Sequence, residues 1–287
     1  MPIIEVNNLT FTYCQGTPYE KKSLDNISFM VEKGDVLGIA GENGSGKSTL
    51  IKHFNGLLNP TSGRISVLGK DLSNSLDRNE LWKKVGMVFQ FPEQQLFEDT
   101  VFNEIAYGLK NLGISRDKIP GMVNEALKKV GLDNEAIEQF SPLCLSGGMR
   151  RRAAIACVLA MKPEVLILDE STAGLDLSGR EKILDIIKKI KEENNTTIII
   201  VSHNLNELIS VCSHIAVLKD GNLVSYGKIR EVLSQKLVQD RCPKMFPDYI
   251  QLIHRLSKRY NDINTTSIYL EEVEAELDKL LKRGINI

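Results

Sequence analysis

The chain has 287 residues, of which 42% are hydrophobic and 25% are charged, a balance typical of soluble globular proteins large enough to bury a substantial core. Its 36 lysines and arginines are offset by 37 aspartates and glutamates, so the net charge of −1 gives no general attraction to nucleic acid, and we expect no nucleic-acid partner. The five cysteines form no C-x-x-C pair, which favours unpaired thiols over disulfides or a cysteine metal site.

The ends of the chain and its apolar runs bear on location. The first residues lack the basic and apolar regions of a signal peptide, and no apolar run approaches the roughly 20 residues that cross a bilayer. We therefore expect that, if the protein works at a membrane, other chains span it.

The N-terminal residues predict β-structure. Residues 3–13 and 27–32 show alternating and β-branched apolar character, which predicts two or three antiparallel strands flanking a further strand at 36–40. Tyr13 ends the first of them. Its spacing favours an aromatic buried in the strand, and the alternative is a ring that stacks on a purine.

Residues 41–49 match the pattern G-x-x-x-x-G-K-[ST] between the apolar run 36–40 and a helical segment that follows. Glycines let the backbone N–H groups approach phosphate oxygens, and the helix N-terminus adds partial positive charge. Lys47 would reach the β and γ phosphates, and the Ser48 hydroxyl would ligate Mg²⁺. A chance glycine-rich turn would not need the order strand, loop, helix. The predicted phosphate-binding residues are Gly41, Asn43, Gly44, Ser45, Gly46, Lys47, Ser48 and Thr49.

Beyond two more predicted strands, the second ending at Gln90, the periodicity becomes helical. This predicts a helical subdomain, about residues 92–160, inserted between strands. Within it lies the run Leu145, Ser146, Gly147 and Gly148. Ser146 is a candidate N-cap of the next helix, whose first N–H groups offer a second anion site. The basic run 150–152 fits a solvated helix face as well as a functional role.

Two later strands end in polar side chains. Four large apolar residues precede Asp169 and Glu170, which predicts a strand buried on both faces, as in parallel sheets. Beside a phosphate loop, Asp169 could hold Mg²⁺ through water and Glu170 could polarise the attacking water. The strand 196–202 ends at His203. A lone histidine there is more often structural, but parallel strands present their carboxyl ends on one rim, so we expect these groups to meet.

The C-terminal part contains further predicted helices and a hairpin. Residues 180–193 predict an amphipathic helix, and the turn at 220–222 predicts a hairpin. Helices are predicted at 249–260 and 268–282. We assign residues 1–232 to a nucleotide-binding domain and 233–287 to a C-terminal helical extension, either an appended bundle or a partner-binding element.

In this order, the motifs resemble the complete set of an ABC-type ATPase over residues 1 to about 230. They are the phosphate loop at 41–49, Gln90, the run 145–148, Asp169 with Glu170, residues 174–176, and His203. Residues 17–22, 89–97 and 156–162 further resemble the ATP-binding subunits of energy-coupling factor (ECF) transporters, the EcfA or CbiO family. The 17–22 stretch is most similar to the second of its two usual paralogues. The implied fold is a P-loop NTPase α/β fold, with a mainly parallel core sheet, an antiparallel β subdomain and the helical insertion.

The resemblance implies roles for individual residues. Tyr13 would stack on adenine, and Gln90 would sense the γ phosphate and Mg²⁺. Glu170 would act as general base, and His203 would hold the γ phosphate. Ser146 and Gly148, within the signature 145–148, would contact ATP held by a second chain, and Asp176 would organise the dimer seam. Met149 departs from the glutamine usual in the family, and Ser171 and Leu177 stand where proline is usual. None of these changes removes a group needed for phosphoryl transfer.

The resemblance also implies partners. Two ATP molecules with Mg²⁺ would lie between two such chains, either paralogues or identical copies, on the cytoplasmic face of the cell membrane. A transmembrane EcfT-type subunit would dock near residues 91–97 beside a substrate-binding S component, and the cargo would be a vitamin or transition metal. The alternatives are a subunit of another ABC transporter class, a soluble ABC ATPase acting on DNA or ribosomes, and a small-molecule kinase.

Overall fold

The computed structural model describes residues 2–194, 196–260 and 263–282. The strands are β1 (Pro2–Tyr13), β2 (Lys21–Glu32), β3 (Val36–Gly41), β4 (Ser62–Val67), β5 (Lys70–Asp71), β6 (Val85–Val88), β7 (Val165–Asp169), β8 (Thr197–Val201), β9 (His214–Lys219) and β10 (Asn222–Lys228). The helices are α1 (Lys47–Phe54), α2 (Ser75–Asn79), α3 (Val101–Asn111), α4 (Ile119–Lys129), α5 (Gly147–Ala160), α6 (Leu177–Asn194), α7 (Leu205–Val211), α8 (Ile229–Leu233), α9 (Lys236–Arg241), α10 (Asp248–Ser257) and α11 (Leu270–Lys282).

The strands form two sheets. Six of them lie in the order β10-β9-β3-β8-β7-β6, with parallel pairing from β9 to β6 and an antiparallel β10 at the edge. The other four form an antiparallel sheet in the order β2-β1-β4-β5. The predicted α/β fold, with a mainly parallel core and an antiparallel β subdomain, is confirmed.

One part of the strand prediction is wrong. Strands β1 and β2 were expected to flank the phosphate-loop strand β3, but β3 pairs with β8 and β9, and β1 and β2 belong to the other sheet. The burial patterns explain the difference. All six residues of β3 are buried, which suits a central parallel strand covered on both faces, whereas β2 alternates between buried and exposed residues.

Alternation along the central strands divides the core. In β3, Leu37 and Ile39 face the core that contains α1 and the antiparallel sheet, while Val36 and Ala40 face the core that contains α3, α5 and α6. Strands β7 and β8 divide their residues in the same way, because successive side chains point to opposite faces of a sheet. The central strands β3, β7 and β8 are therefore covered on both faces, and the polar groups of interest follow the ends of these strands.

The predicted helices are present. Helices α3, α4 and α5 make up the insertion, and α6, α10 and α11 lie at the positions that the periodicity predicts. In the C-terminal part, Phe246, Ile250 and Ile268 join the main core, while Ile253 and Val273 belong to a separate small cluster. Helix α8 crosses the boundary placed between residues 232 and 233, and that division stays a prediction. Residues 261, 262 and 283–287 of the predicted extension lie outside the described residues.

Among the described residues, no helix combines the length and the apolar character that crossing a bilayer requires.

Candidate functional site

The phosphate loop connects the end of β3 to the start of α1, and its glycines have distinct steric reasons. A Cβ atom on Gly41 would lie 2.3 Å from the Leu218 carbonyl oxygen, and one on Gly46 would lie 2.7 Å from the Ser23 carbonyl oxygen. Gly44 has open space around it but adopts φ +80°, a conformation that strains other residues. The loop geometry therefore depends on glycine at all three positions.

The phosphate loop contains a buried ammonium group, that of Lys47. Lys47 is 5% exposed, and its Nζ donates hydrogen bonds to the carbonyls of Gly41 (2.9 Å) and Glu42 (3.0 Å). Burial lowers the pKa of Lys47, and the nearby carboxylates of Glu170 and Asp169 act in the opposite direction. An anion entering the loop would find this ammonium group and the N-terminus of α1 together.

The residues next to Lys47 fit a divalent cation. Asp169 is 5% exposed, and its Oδ1 has no hydrogen-bond partner. Burial and the charge of Glu170 raise the pKa of Asp169, although a hydrogen bond with the Ser48 hydroxyl lowers it in part. An orphaned, buried carboxylate oxygen beside a hydroxyl is the donor set that Mg²⁺ accepts. The described residues contain no group of three His, Cys, Asp or Glu side chains that could hold an ion without further ligands.

A cavity of about 970 Å³ opens above the loop. The predicted residues that line it are Tyr13, Asn43, Gly44, Gly46, Lys47, Ser48, Thr49, Gln90, Glu170 and His203. Gly41, Ser45 and Asp169 lie outside this lining. Ser45 is 3% exposed and its hydroxyl has no hydrogen-bond partner. The site thus gathers residues from both sheets, including groups that follow the ends of four parallel strands, β3, β6, β7 and β8.

Tyr13 lies at the end of β1, beside the cavity. It is half-buried, its ring packs edge-on against Phe11 with the centroids 4.7 Å apart, and its hydroxyl lies 3.2 Å from Oγ1 of Thr49. The residue also lines the cavity, on the side where β2 begins. Tyr13 is therefore a strand aromatic that also lines the cavity, and its stacking on a purine stays a prediction.

The carboxylate of Glu170 is held from two sides. Gln90, just beyond β6, donates a hydrogen bond from Nε2 to Oε2 of Glu170 (2.9 Å), and Nε2 of His203, just beyond β8, pairs with Oε1. Glu170 itself has φ +49°, a left-handed conformation that is strained for a residue other than glycine, and its side chain is 13% exposed. Residues that follow three strands therefore converge on one carboxylate in the lining of the cavity.

The signature residues 145–148 do not line this cavity. Leu145 is buried, and Ser146 caps α5 by accepting a hydrogen bond from the N–H of Met149 (3.3 Å). A Cβ atom on Gly147 or Gly148 would meet nothing within 4 Å, so the start of α5 is open. The N-terminus of α5 is thus available to an anion that the chain's own phosphate loop does not hold.

Asp176 lies at the start of α6. It is exposed, and its Oδ1 accepts a hydrogen bond from the N–H of Gly179 (2.9 Å), in the manner of an N-cap. A role at a dimer seam stays a prediction.

Comparison with known proteins decides the family. The family model described as ABC transporter matches residues 24–173. The energy-coupling factor transporter ATP-binding protein EcfA2 of Clostridium acetobutylicum is 43% identical over 283 residues, covering 98% of this chain and 99% of that protein. The chain belongs to the EcfA/CbiO family of ABC-type ATPases. The EcfA2 protein of Acetivibrio thermocellus is 40% identical to this ATPase over 98% of the chain and 99% of its own length.

Solved structures agree with this assignment. The cbiO1 protein of Clostridium perfringens, described as part of the ABC transporter complex cbiONQ, superposes with a TM-score of 0.74 at 34% identity, covering 91% of this chain and 96% of that one. The ATP-binding cassette MJ0796, as a dimer in a post-hydrolysis state with ADP and Pi, gives a TM-score of 0.69 at 31% identity over 79% of this chain and 98% of that one.

Sequence reasoning missed several residues of the ABC ATPase site. Lys21, Lys22 and Ser23, the first residues of β2, line the cavity, although no phosphate-binding pattern marks them in the sequence. Next to Ser23, Asp220 and Gly221 also line it, from the hairpin turn between β9 and β10. A turn signal was visible there, but only the neighbouring positions of β3 and β9 place it beside the phosphate loop.

The interpretation of residues 150–152 as a solvated helix face is wrong for Arg151. This side chain is 3% exposed, and its guanidinium bonds to Glu93 and to backbone carbonyls. Arg152 donates to the carbonyls of Val130 (2.9 Å) and Gly131 (2.7 Å). The charge of a side chain does not reveal whether the fold supplies buried acceptors for it.

Glu207, on α7, carried no signal in the sequence. It is 6% exposed, and its Oε2 accepts hydrogen bonds from the hydroxyls of Thr172 and Ser202, each at 2.7 Å. The residues that it ties together follow Glu170 and precede His203. Glu207 thus links the two loops that carry these groups.

Proposed function

We propose that this ATPase hydrolyses ATP with Mg²⁺ as the energy-supplying subunit of an ECF-type importer, driving uptake of a vitamin or transition metal through separate membrane subunits. The observation that carries the proposal is the Glu170 carboxylate, held between Gln90 and His203 in the lining of the phosphate-loop cavity. A carboxylate oriented by two side chains beside a phosphate site is suited to activate water for attack on a γ phosphate.

Each neighbouring group has a defined role in that reaction. Lys47 and the loop amides bind the phosphates, and His203 orients Glu170 and holds the γ phosphate. Ser48 and Asp169 would hold Mg²⁺, with Gln90 beside them, and the bound ion supplies positive charge to the phosphate oxygens. Glu170 takes the proton of the attacking water. Asp169 is buried, so its carboxylate itself is shielded from bulk solvent.

The site of one chain is half of a working site. The phosphate-loop cavity lacks residues 145–148, while the amides at the start of α5 are open to an external anion. The dimeric form of MJ0796 with ADP and Pi supports pairing of two chains in the present protein. We infer that Ser146 and Gly148 contact the ATP of a second EcfA-type chain, either a paralogue or an identical copy, and that Asp176 lies at the seam.

A docking segment, residues 91–97, supports a membrane partner. Phe91 is 41% and Phe97 is 65% exposed, and the Phe97 ring packs edge-on against the exposed Tyr107 with centroids 5.0 Å apart. The N–H groups of Phe97 and Glu98 both donate to the buried carboxylate of Glu104, which fixes the backbone. Exposed aromatics on a fixed backbone favour recognition of another chain. We infer that an EcfT-type subunit docks here, with an S component beside it, and places the ATPase on the cytoplasmic face of the cell membrane.

The test uses Glu170→Gln in the complex purified with its membrane subunits. The amide keeps the shape but cannot take a proton, so steady-state hydrolysis should fall by about 10²- to 10⁴-fold while ATP affinity is retained. Glu181→Gln, at an exposed position of α6, is the matched control. Undiminished hydrolysis by Glu170→Gln would reject the assigned base.

The transport role is tested separately. Pull-down of the tagged chain from native membranes should recover a transmembrane subunit and a small substrate-binding membrane protein, and deletion should abolish uptake of that subunit's cargo. Recovery of ribosomal or DNA-bound partners alone would contradict the importer and favour a soluble ABC ATPase.

A further inference from the structure

The buried guanidinium of Arg151 meets the docking segment with a two-point contact. Its Nε lies 3.2 Å from Oε2 of Glu93, and its Nη2 lies 2.9 Å from Oε1. Such paired bonds fix both the distance and the orientation of the two side chains. Burial by itself would raise the pKa of Glu93, but the hydrogen bonds and charge of Arg151 bring it below its usual value. Arg151 also lies beside the Phe91 ring, with 6.0 Å between Cζ and the ring centroid.

The third nitrogen of the same guanidinium reaches residues 171–173, the catalytic loop, which follows Glu170. Nη1 of Arg151 donates to the carbonyl of Ser171 (3.2 Å) and to that of Ala173. These residues follow directly after Glu170. One side chain therefore bridges the docking segment, α5 and the loop that carries the general base. Loss of a hydrogen-bond partner would leave the buried charge of Arg151 less well compensated, which is energetically costly. A shift of one of these segments would therefore also change the contacts of the other two.

The catalytic loop is also held from its other side. The Thr172 hydroxyl donates to Glu207, so residues 171–173 lie between the guanidinium of Arg151 and the carboxylate of Glu207. Glu170, one position before, has φ +49°. A strained backbone of this kind persists only where the surroundings determine it. The direction of the Glu170 carboxylate thus depends on contacts that the loop makes with Arg151.

We propose that Arg151 is a positioning residue that ties the docking segment to Glu170 of its own chain, so that a protein partner bound on residues 91–97 sets the rate of hydrolysis. The inference rests on the proposed function. Arg151 also lies on α5, whose first residues belong to the signature. A shift of the docking segment that is passed to Arg151 would therefore also reach the nucleotide held against the signature by the second chain.

Two variants separate the two halves of this bridge. Arg151→Gln removes the contacts with Glu93 and with the carbonyls, whereas Glu93→Gln weakens only the link to the docking segment. Arg151→Lys keeps the charge but cannot reproduce the forked geometry. Arg116→Lys, at an exposed position of the same helical subdomain, is the matched control. Maximal rate and KM for ATP are measured for the ATPase pair alone and for the complex with its membrane subunits.

Arg151→Gln should lower kcat by about 10- to 100-fold, as expected for a misplaced catalytic group, with KM for ATP within about twofold of the wild type. Arg151→Lys should not restore kcat. Glu93→Gln should lower the basal rate less than Arg151→Gln does, yet reduce stimulation by the membrane subunits to a similar extent. Arg116→Lys should leave all three quantities unchanged.

Three results would overturn the inference. They are an Arg151→Gln enzyme with the kcat of the control, full rescue by Arg151→Lys, and a fall of basal rate and stimulation in equal proportion in both Arg151→Gln and Glu93→Gln. If Arg151→Gln does not fold, the comparison of Arg151→Lys with Glu93→Gln decides. A wild-type complex without hydrolysis would instead count against the proposed function itself.

Discussion

The hydroxyl of Thr172 offers a measurable test of how the catalytic loop is held. Thr172 is 7% exposed and donates at 2.7 Å to Glu207, whose carboxylate also accepts from Ser202. Thr172→Val keeps the side-chain volume but removes this donor, which leaves a buried carboxylate short of one hydrogen bond. We expect the variant to unfold more easily because that carboxylate loses solvation.

The size of the effect follows from the nature of the bond. A hydrogen bond to a charged group contributes about 1.5–3 kcal/mol, so Thr172→Val should lower the free energy of unfolding by about 2 kcal/mol. In a Glu207→Gln background the acceptor is neutral and the bond contributes about 1 kcal/mol. The double-mutant cycle should therefore give a coupling of about 1 kcal/mol between positions 172 and 207.

Urea unfolding followed by circular dichroism measures these values, with kcat recorded in parallel. Thr265→Val is the control, because its half-buried hydroxyl makes no hydrogen bond to the described residues. A loss of less than about 0.5 kcal/mol in Thr172→Val, or an equal loss in both backgrounds, would refute the reasoning, since distant or independent sites show only such values.

Two further predictions concern the phosphate site. Asp169→Asn removes a carboxylate whose pKa is raised by burial and by Glu170, so the nucleotide-free chain should melt about 2 °C higher while hydrolysis is lost. Because the folded chain holds the Asp169 proton more tightly than the unfolded chain does, ionisation of Asp169 destabilises the fold as pH rises above the ordinary value of 3.8. The gain should therefore be larger at about pH 7 than at about pH 4, and a thermal-shift gain independent of pH would count against this. Gly46→Ala places a Cβ 2.7 Å from the Ser23 carbonyl oxygen at φ +102°, so nucleotide affinity measured by calorimetry should fall by about tenfold or more, and wild-type affinity would contradict the steric argument.

Much of the site follows from local sequence. Three local patterns each predict a backbone conformation from neighbouring residues alone. They are the glycines of the phosphate loop, the apolar run before Asp169 and the strand before His203. Parallel strands share a common carboxyl edge, so these local patterns also determine that the loop, the acids and the histidine lie on one rim. The sequence by itself therefore determined the nucleotide-binding fold and most of the residues that line the phosphate-loop cavity.

Tertiary structure decided how those residues are held and connected. Arg151 and Glu93 are 58 positions apart, and Thr172 and Glu207 are 35 apart, so no local pattern links the members of either pair. Whether an arginine in a basic run is solvated or buried depends on which carbonyls and carboxylates the packed elements bring to it. The sheet to which β1 and β2 belong was likewise decided by tertiary packing. Alternating side chains show which face of a strand is exposed, but they do not show which strand pairs with it.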